Sequence, residues 1–410
     1  MKVVVVTALT PTPENRGGIS ALLYALLRFR PKNVEVDIFS FNLNQIGDSD
    51  LLEISDSMDS KIKLLELPPL FLCYQSLKDN KWFVRLCKFI NRPHVMNALF
   101  NQRNIDLIKK EDCDFMLLYP LTISFANSFF TNIKTVIVAP DCWPLVRARS
   151  LMNFFRLRSK KMYLDDVLYY YRATKPIRPQ KEANQRVLFH YVGFADYNYH
   201  INLTGNKDAH FLLHPFVKYK EKTIDFISTK RLNVIISGAY DMYYATDVDK
   251  MLPSLIEYKH ELLKHFKFTF LGKSWEPINQ RLKEGGFVCE FKSWVDDYAI
   301  ELAQHDIMIA PISFGTGTKG KVLDGMVNGL LVIGSDYALE NICVRDMESC
   351  VRYRDASHIA SILISIANHR ERYQAIAAKG REQVLKYHAP TRISKRFFEI
   401  YYREFCEQKE

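Results

Sequence analysis

Ala310-Pro311-Ile312-Ser313-Phe314-Gly315-Thr316-Gly317-Thr318-Lys319-Gly320-Lys321-Val322-Leu323-Asp324-Gly325-Met326-Val327-Asn328-Gly329 runs from an apolar strand through a Gly/Thr loop into a helix. Ile307–Ala310 reads as the strand, and Lys319–Asn328 as the helix, with Gly329 as its C-cap. In open α/β sheets, ligands gather at the carboxyl ends of the strands. Gly315 and Gly317 let the backbone approach such a ligand closely. A helix N-terminus at that place offers free N–H groups and the positive end of a dipole, which favour phosphate. Lys319 and Lys321 add two cations. A hydrogen bond to a charged group contributes roughly 1.5–3 kcal/mol, so two lysines and the N–H donors can hold a diphosphate. Asp324, further into the helix, could accept hydrogen bonds from vicinal hydroxyls such as those of a ribose. The same residues also read as a flexible loop before a solvated, lysine-bearing helix.

The strand–helix grammar extends outward in both directions. Leu232–Ser237, Lys267–Leu271, Phe287–Phe291 and Leu330–Gly334 read as strands. Asp249–Lys264, Val295–Gln304 and Ala356–Lys386 read as helices. The pattern loosens at His214–Lys230, the expected interdomain linker. Before it, Lys2–Thr7, Val34–Phe39, Ile62–Leu67, Asp114–Tyr119, Thr135–Val138 and Val187–Val192 read as strands. Gly18–Phe29, with Leu22, Leu23, Leu26 and Leu27 at helical spacing, reads as a helix, and Trp82–Asn101 as a basic one. Such alternation specifies parallel sheets with helices on both faces. A chain of 410 residues suits two such α/β domains, arranged as two Rossmann-like units in tandem.

Composition narrows the class. Hydrophobic residues make up 48% of the chain, with 27 Phe and 22 Tyr, which excludes a disordered protein. A formal net charge of +10 favours anionic partners without choosing among phosphates, acidic membranes and nucleic acid. The eight cysteines form no CxxC pair, so reduced thiols are expected in place of a disulfide framework or metal site. The opening run Val3–Val6 is too short for a signal peptide, and the apolar stretch Phe115–Phe130 falls short of the roughly 20 residues a membrane span needs. A cytoplasmic, soluble or peripheral protein is expected.

The stretch 310–329 resembles the donor motif of the retaining GT-B glycosyltransferase family (glycosyltransferase group 1, family 4-like), in the subset with a Gly-Thr-x-x-Lys loop. Phe291-Lys292-Ser293-Trp294-Val295-Asp296-Asp297-Tyr298 resembles that family's turn beside the nucleobase. Phe268-Thr269-Phe270-Leu271-Gly272 and Ser237-Gly238 resemble its glycine-ended strands, and His388–Phe405 its final helix, which crosses back onto the first domain. In Pro11-Thr12-Pro13-Glu14-Asn15-Arg16-Gly17-Gly18-Ile19, the paired glycines resemble the first-domain glycine loop facing the donor phosphates; they also read as an ordinary helix start. The resemblance covers most of 230–405 and, more thinly, 1–40 and 135–215. It departs where Asp324 and Thr316 stand in place of two glutamates eight positions apart. No basic residue follows Gly238, so Lys273 is the expected second cation.

The resemblance implies an α/β GT-B fold with two Rossmann-like domains facing across a cleft. Residues 1–215 would bind the acceptor, 216–385 the nucleotide-sugar donor, and 386–410 would return to the first domain. It implies a glycosyltransferase, of hexosyltransferase class, that works with retention and without a cofactor or metal. The expected donor-binding residues are Gly17, Gly18, Gly238, Lys273, Trp294, Gly315, Thr316, Gly317, Thr318 and Asp324. Lys319 and Lys321 are expected to stabilise the departing diphosphate. Asp141, just past the strand in Val136-Ile137-Val138-Ala139-Pro140-Asp141, reads equally as a group near the acceptor hydroxyl or as an N-cap.

Asp247-Val248-Asp249 spells the DxD metal signature of another glycosyltransferase fold, yet reads here as acids at a helix start. Between Val146 and Arg186 there are eleven Lys/Arg and three acids interleaved with aromatics. That segment suits an anionic membrane surface bearing a lipid-linked glycan acceptor, or equally a solvated basic face. No nucleic-acid motif accompanies the charge. Two further readings stay open: a nucleotide-sugar epimerase of the same fold, and a non-catalytic scaffold.

Overall fold

The computed structural model describes residues 1–14, 19–77, 80, 82–83, 95–156, 164–174, 186–205 and 207–407. Gly17 and Gly18, most of the predicted helix Trp82–Asn101, and a large part of 146–186 lie outside these residues.

The chain forms two all-parallel sheets. The first has seven strands: β1 (Lys2–Thr7), β2 (Glu35–Ser40), β3 (Lys61–Leu64), β4 (Phe115–Tyr119), β5 (Thr135–Ala139), β6 (Val187–Tyr191) and β7 (Ala209–Phe211), in the order β3-β2-β1-β4-β5-β6-β7. The second has six: β8 (Leu232–Ser237), β9 (Phe266–Leu271), β10 (Cys289–Lys292), β11 (Ile307–Ala310), β12 (Leu331–Gly334) and β13 (Val351–Arg352), in the order β10-β9-β8-β11-β12-β13. In each sheet the order reverses beside the first strand, between β1 and β4 and between β8 and β11. Those two reversals open the crevices where ligands of such sheets sit.

The valine run explains the first sheet. Val4 and Val6 pack with Met116 and Leu118 on one face, while Val3 and Val5 pack with Phe115 and Leu117 on the other. Successive side chains alternate across a strand, so a strand covered on both faces must be apolar throughout. Each fully buried side chain of this size contributes roughly 1.5–3 kcal/mol.

The final helix, Pro390–Phe405, belongs to the first domain in space. Its Phe397, Phe398, Tyr401 and Phe405 are buried among Val3, Val5 and Phe115. Its Ser394 hydroxyl donates to the Leu26 carbonyl at 2.6 Å, and Tyr401 Oη lies 2.8 Å from Nδ1 of buried His190.

Several predicted bounds need correction. The helix expected at Asp249–Lys264 begins at Met242, because Asp241 caps it by accepting the Tyr243 N–H at 2.9 Å, and it breaks at Tyr258 before Lys259–His265. Asp247 and Asp249 therefore lie inside a helix and not at its start. Asp247 accepts a hydrogen bond from Tyr353 Oη at 2.6 Å, whereas Asp249 faces Arg281 at 3.8 Å. The helical run from Ala356 breaks at His369. Residues 95–99 form a 3-10 turn, and Asn101 caps a separate helix, Gln102–Lys109. No helix among the described residues is long and apolar enough to cross a membrane.

Candidate functional site

The crevice between β8 and β11 brings together Gly238, Lys321 and the helix that carries Asp324. β8 ends at Ser237 and turns at Gly238, whose φ is +118°. A Cβ there would lie 2.0 Å from Lys321 Nζ, so only glycine lets the ammonium rest on this backbone. Lys321 donates to Tyr244 Oη at 2.6 Å, and Tyr244 in turn donates to the Ser237 carbonyl at 2.9 Å. Burial pushes the Lys321 ammonium down to about 8, with Asp241 opposing. The Trp275 indole N–H, fully buried, donates to the Gly238 carbonyl at 2.5 Å and fixes the strand end.

The helix at this crevice is Gly320–Val327. Its N-cap is Lys319, and no side chain caps it. Its first N–H groups are thus available to an anion. Asp324, three residues beyond Lys321, has a carboxyl pushed up to about 7 by burial alone. No hydrogen bond or ion pair engages that carboxyl among the described residues.

The loop before this helix lies against the first domain. The Thr316 hydroxyl donates to Asp141 Oδ1 at 3.3 Å, the Gly317 N–H to Asp196 Oδ2 at 3.1 Å, and the Thr318 hydroxyl to the Val192 carbonyl at 2.8 Å. Arg149, from the first-domain helix Trp143–Arg156, donates to the Gly315 carbonyl at 2.6 Å. The same guanidinium grips Glu340 with both terminal nitrogens, at 2.6 and 2.7 Å. Gly317 has φ +66°, and a Cβ there would lie 2.2 Å from Asp141 Oδ1. Glycine is required at this position both by its φ and by its neighbour.

Lys319 and Lys321 occupy different surroundings. Lys319 folds its ammonium onto the Thr316 and Gly317 carbonyls, the latter at 3.1 Å. Burial lowers its pKa, while Asp141, Glu340 and Asp196 pull the other way. Asp141 is half-buried at the carboxyl end of β5; burial raises its pKa, opposed by the Lys319 charge and the Thr316 hydroxyl. Lys273 is exposed, and its backbone carbonyl accepts the Tyr240 N–H at 2.9 Å. Trp294 stands 74% exposed in the turn after β10. No cluster of three or more His, Cys, Asp or Glu able to hold a metal exists among the described residues.

Sequence reasoning missed Asp196, Glu340, Asn341 and Tyr244, and it counted Arg149 only as one of many surface cations. Asp196 sits in the first turn of the helix Phe194–Thr204, where an acid reads as ordinary dipole compensation. The Gly193 before it was the only local cue.

Comparison with known proteins follows this division. Residues 231–369 match the family model described as glycosyl transferases group 1. No curated protein matches the chain in sequence. Among solved structures, HepE from Anabaena in complex with UDP-glucose superposes with a TM-score of 0.66 at 10% identity, covering 98% of this chain and 99% of that one. Sucrose-phosphate synthase from Thermosynechococcus elongatus gives 0.68 at 11% identity, covering 99% and 100%. WaaG, a glycosyltransferase involved in lipopolysaccharide biosynthesis, gives 0.62 at 11% identity, covering 96% and 98%. At such identities the likeness establishes the fold. The chain thus has the two-domain GT-B fold over nearly its whole length, and its residues 231–369 match the glycosyl transferases group 1 model.

Proposed function

We propose that the chain transfers a sugar, a hexose, from a nucleotide-diphosphate donor to a glycan or lipid-linked glycan acceptor, with retention, in polysaccharide or glycoconjugate biosynthesis. The observation that carries this reading is the β8–β11 crevice. There a desolvated ammonium, a helix N-terminus that no side chain caps and a carboxyl with no hydrogen-bond partner among the described residues share one short helix. The first two suit a diphosphate, and the third suits the diol of a ribose. UDP-glucose bound to HepE, a protein of the same fold, supports a nucleotide-sugar as the ligand class.

The chemistry needs little from the protein beyond charge. The bond between the anomeric carbon and the diphosphate oxygen breaks, and a bond from that carbon to the acceptor oxygen forms on the same face. The acceptor proton passes to the departing diphosphate or to Asp141, which faces the loop from the first domain. A donor diphosphate carries two negative charges. Lys321, Lys319 and the roughly +0.5 charge of a helix N-terminus offset them without a metal ion. Gly238, Gly315, Thr316, Gly317 and Thr318 shape the backbone around the donor. Trp294 would face the nucleobase, and Lys273 would add a second cation. The basic segment 146–186 would hold the protein at the cytoplasmic face of an anionic membrane.

The test is turnover. The chain is incubated with a panel of UDP-, GDP-, ADP- and TDP-sugars and glycan or lipid-linked acceptors. Release of nucleoside diphosphate is measured, and the product's anomeric configuration is read by NMR. Acceptor-dependent release from one donor with retention is expected. Epimerisation of the donor without an acceptor would replace this reading.

A further inference from the structure

We propose that Asp196 is a positioning residue for the transfer reaction, one carboxylate that holds the Asp141 segment and the Gly315–Lys319 loop in a single frame. The proposal rests on the donor-site reading above. Asp196 has no exposed surface and lies in the first turn of the helix Phe194–Thr204. Its Oδ1 accepts the N–H of Cys142 at 2.8 Å, the residue directly after Asp141. Its Oδ2 accepts the N–H of Gly317 at 3.1 Å, with the Asn341 side-chain amide at 3.4 Å. The two oxygens therefore serve different domains. Through Cys142 the carboxylate sets where the first-domain strand end delivers Asp141. Through Gly317 it sets where the second domain delivers the loop that precedes Lys319.

Three further observations converge on the same contact. Gly317 is wedged between two first-domain carboxylates, its N–H on Asp196 and its Cα against Asp141. Asn341 Oδ1 accepts the Ala195 N–H at 3.1 Å, and the Gly193 Cα rests on the same Asn341 side chain, so the helix start is docked on the second domain along its first turn. The Lys319 ammonium is attracted by Asp141, Asp196 and Glu340 together. A buried carboxylate is retained when its oxygens are satisfied, and here backbone N–H groups of both domains satisfy them. An active-site geometry fixed in this way matters to rate more than to donor affinity, because the Lys321 crevice does not depend on it.

Asp196→Asn tests the proposal. The amide keeps one acceptor oxygen and turns a donor toward an N–H, so only one of the two domain contacts survives. In the full chain, UDP affinity is measured by calorimetry, turnover by nucleotide release from the donor sugar the wild type accepts, and amide exchange over 138–145 and 312–320. The expected result is turnover lowered ~10- to 100-fold, UDP affinity within about threefold, and faster exchange in one or both segments. Asn341→Gly removes the side chain that docks Ala195 and Asp196 on the second domain, keeps the positive φ of that position, and serves if Asp196→Asn folds poorly. The two losses should not add in the double variant. Unchanged turnover, or equal losses of turnover and UDP affinity, would overturn the proposal. A wild type that binds no nucleoside diphosphate would remove the donor-site reading first and this role with it. Unaltered exchange would remove the tether alone.

Discussion

Lys321→Met separates binding from stability, because the structure assigns the two effects opposite signs. The ammonium sits on the Gly238 backbone under Tyr244, with its pKa held near 8 by burial. A lysine whose pKa is lower folded than unfolded binds fewer protons in the native state. Stability then rises as pH climbs from about 8 through the usual lysine value, and below that window the charge is a cost to folding. Methionine keeps the stem and removes the charge. Tyr244 keeps its bond to the Ser237 carbonyl, so no buried donor is orphaned. After discounting for residual exposure, the variant should be more stable at pH 7 by about 2 kcal/mol. The lost contact to phosphate should weaken UDP binding by ~1.5–3 kcal/mol, roughly 10- to 150-fold. Calorimetric titration with UDP and differential scanning calorimetry, both in EDTA, read the two numbers on one preparation. UDP affinity equal to the wild type, or binding and stability falling together, would refute the reasoning.

Asp324, pushed up to about 7, should ionise as the pH passes that value, so UDP affinity relative to Asp324→Asn should grow between pH 6 and 8. Taking the ratio cancels the titration of UDP itself, and a flat ratio would contradict a ribose-binding carboxylate. Arg149→Met removes the clamp on Gly315 and Glu340 and leaves Glu340 facing an apolar side chain; X-ray scattering should then record a larger radius of gyration, and an unchanged one would show that other contacts hold the domains. Tyr401→Phe leaves buried His190 without its 2.8 Å partner and should cost about 1–3 kcal/mol in denaturant unfolding, with UDP affinity unchanged. Asp249→Asn should leave UDP affinity unchanged with and without EDTA, and wild-type binding that EDTA weakens and Asp249→Asn abolishes would revive a metal role for Asp247-Val248-Asp249.

The architecture was legible where burial forces apolar runs. Leu232–Ser237 and Ile307–Ala310 match β8 and β11 residue for residue, because central parallel strands are mainly apolar, with Asn233 the one polar residue inside these two runs. Edge strands β7 and β13, three and two residues long, bury too little to leave such a run and were not foreseen. The crevice was legible in part: Gly238, Lys321 and Asp324 announce themselves by lying at a strand end or in one short helix. What could not be read was the partner of each residue across the cleft. Asp196 and Gly317 are 121 positions apart, and Arg149 and Glu340 are 191 apart. Their pairing depends on how two sheets face each other, which no local spacing encodes. The acids of Asp247-Val248-Asp249 misled for the opposite reason. Nearby Asp241 is the better cap, and it moved the helix start seven residues upstream of the expected Asp249.

The most direct measurement is a thermal-shift screen of the chain with UDP, GDP, ADP, CMP and TDP in the presence of EDTA. A ligand at a hundred times its Kd adds about 2.7 kcal/mol, enough to raise Tm by a few degrees in a chain of this size. The account predicts that one nucleoside diphosphate raises Tm in EDTA, with CMP giving little because it lacks the second phosphate. No rise with any nucleotide would contradict a donor site at the β8–β11 crevice.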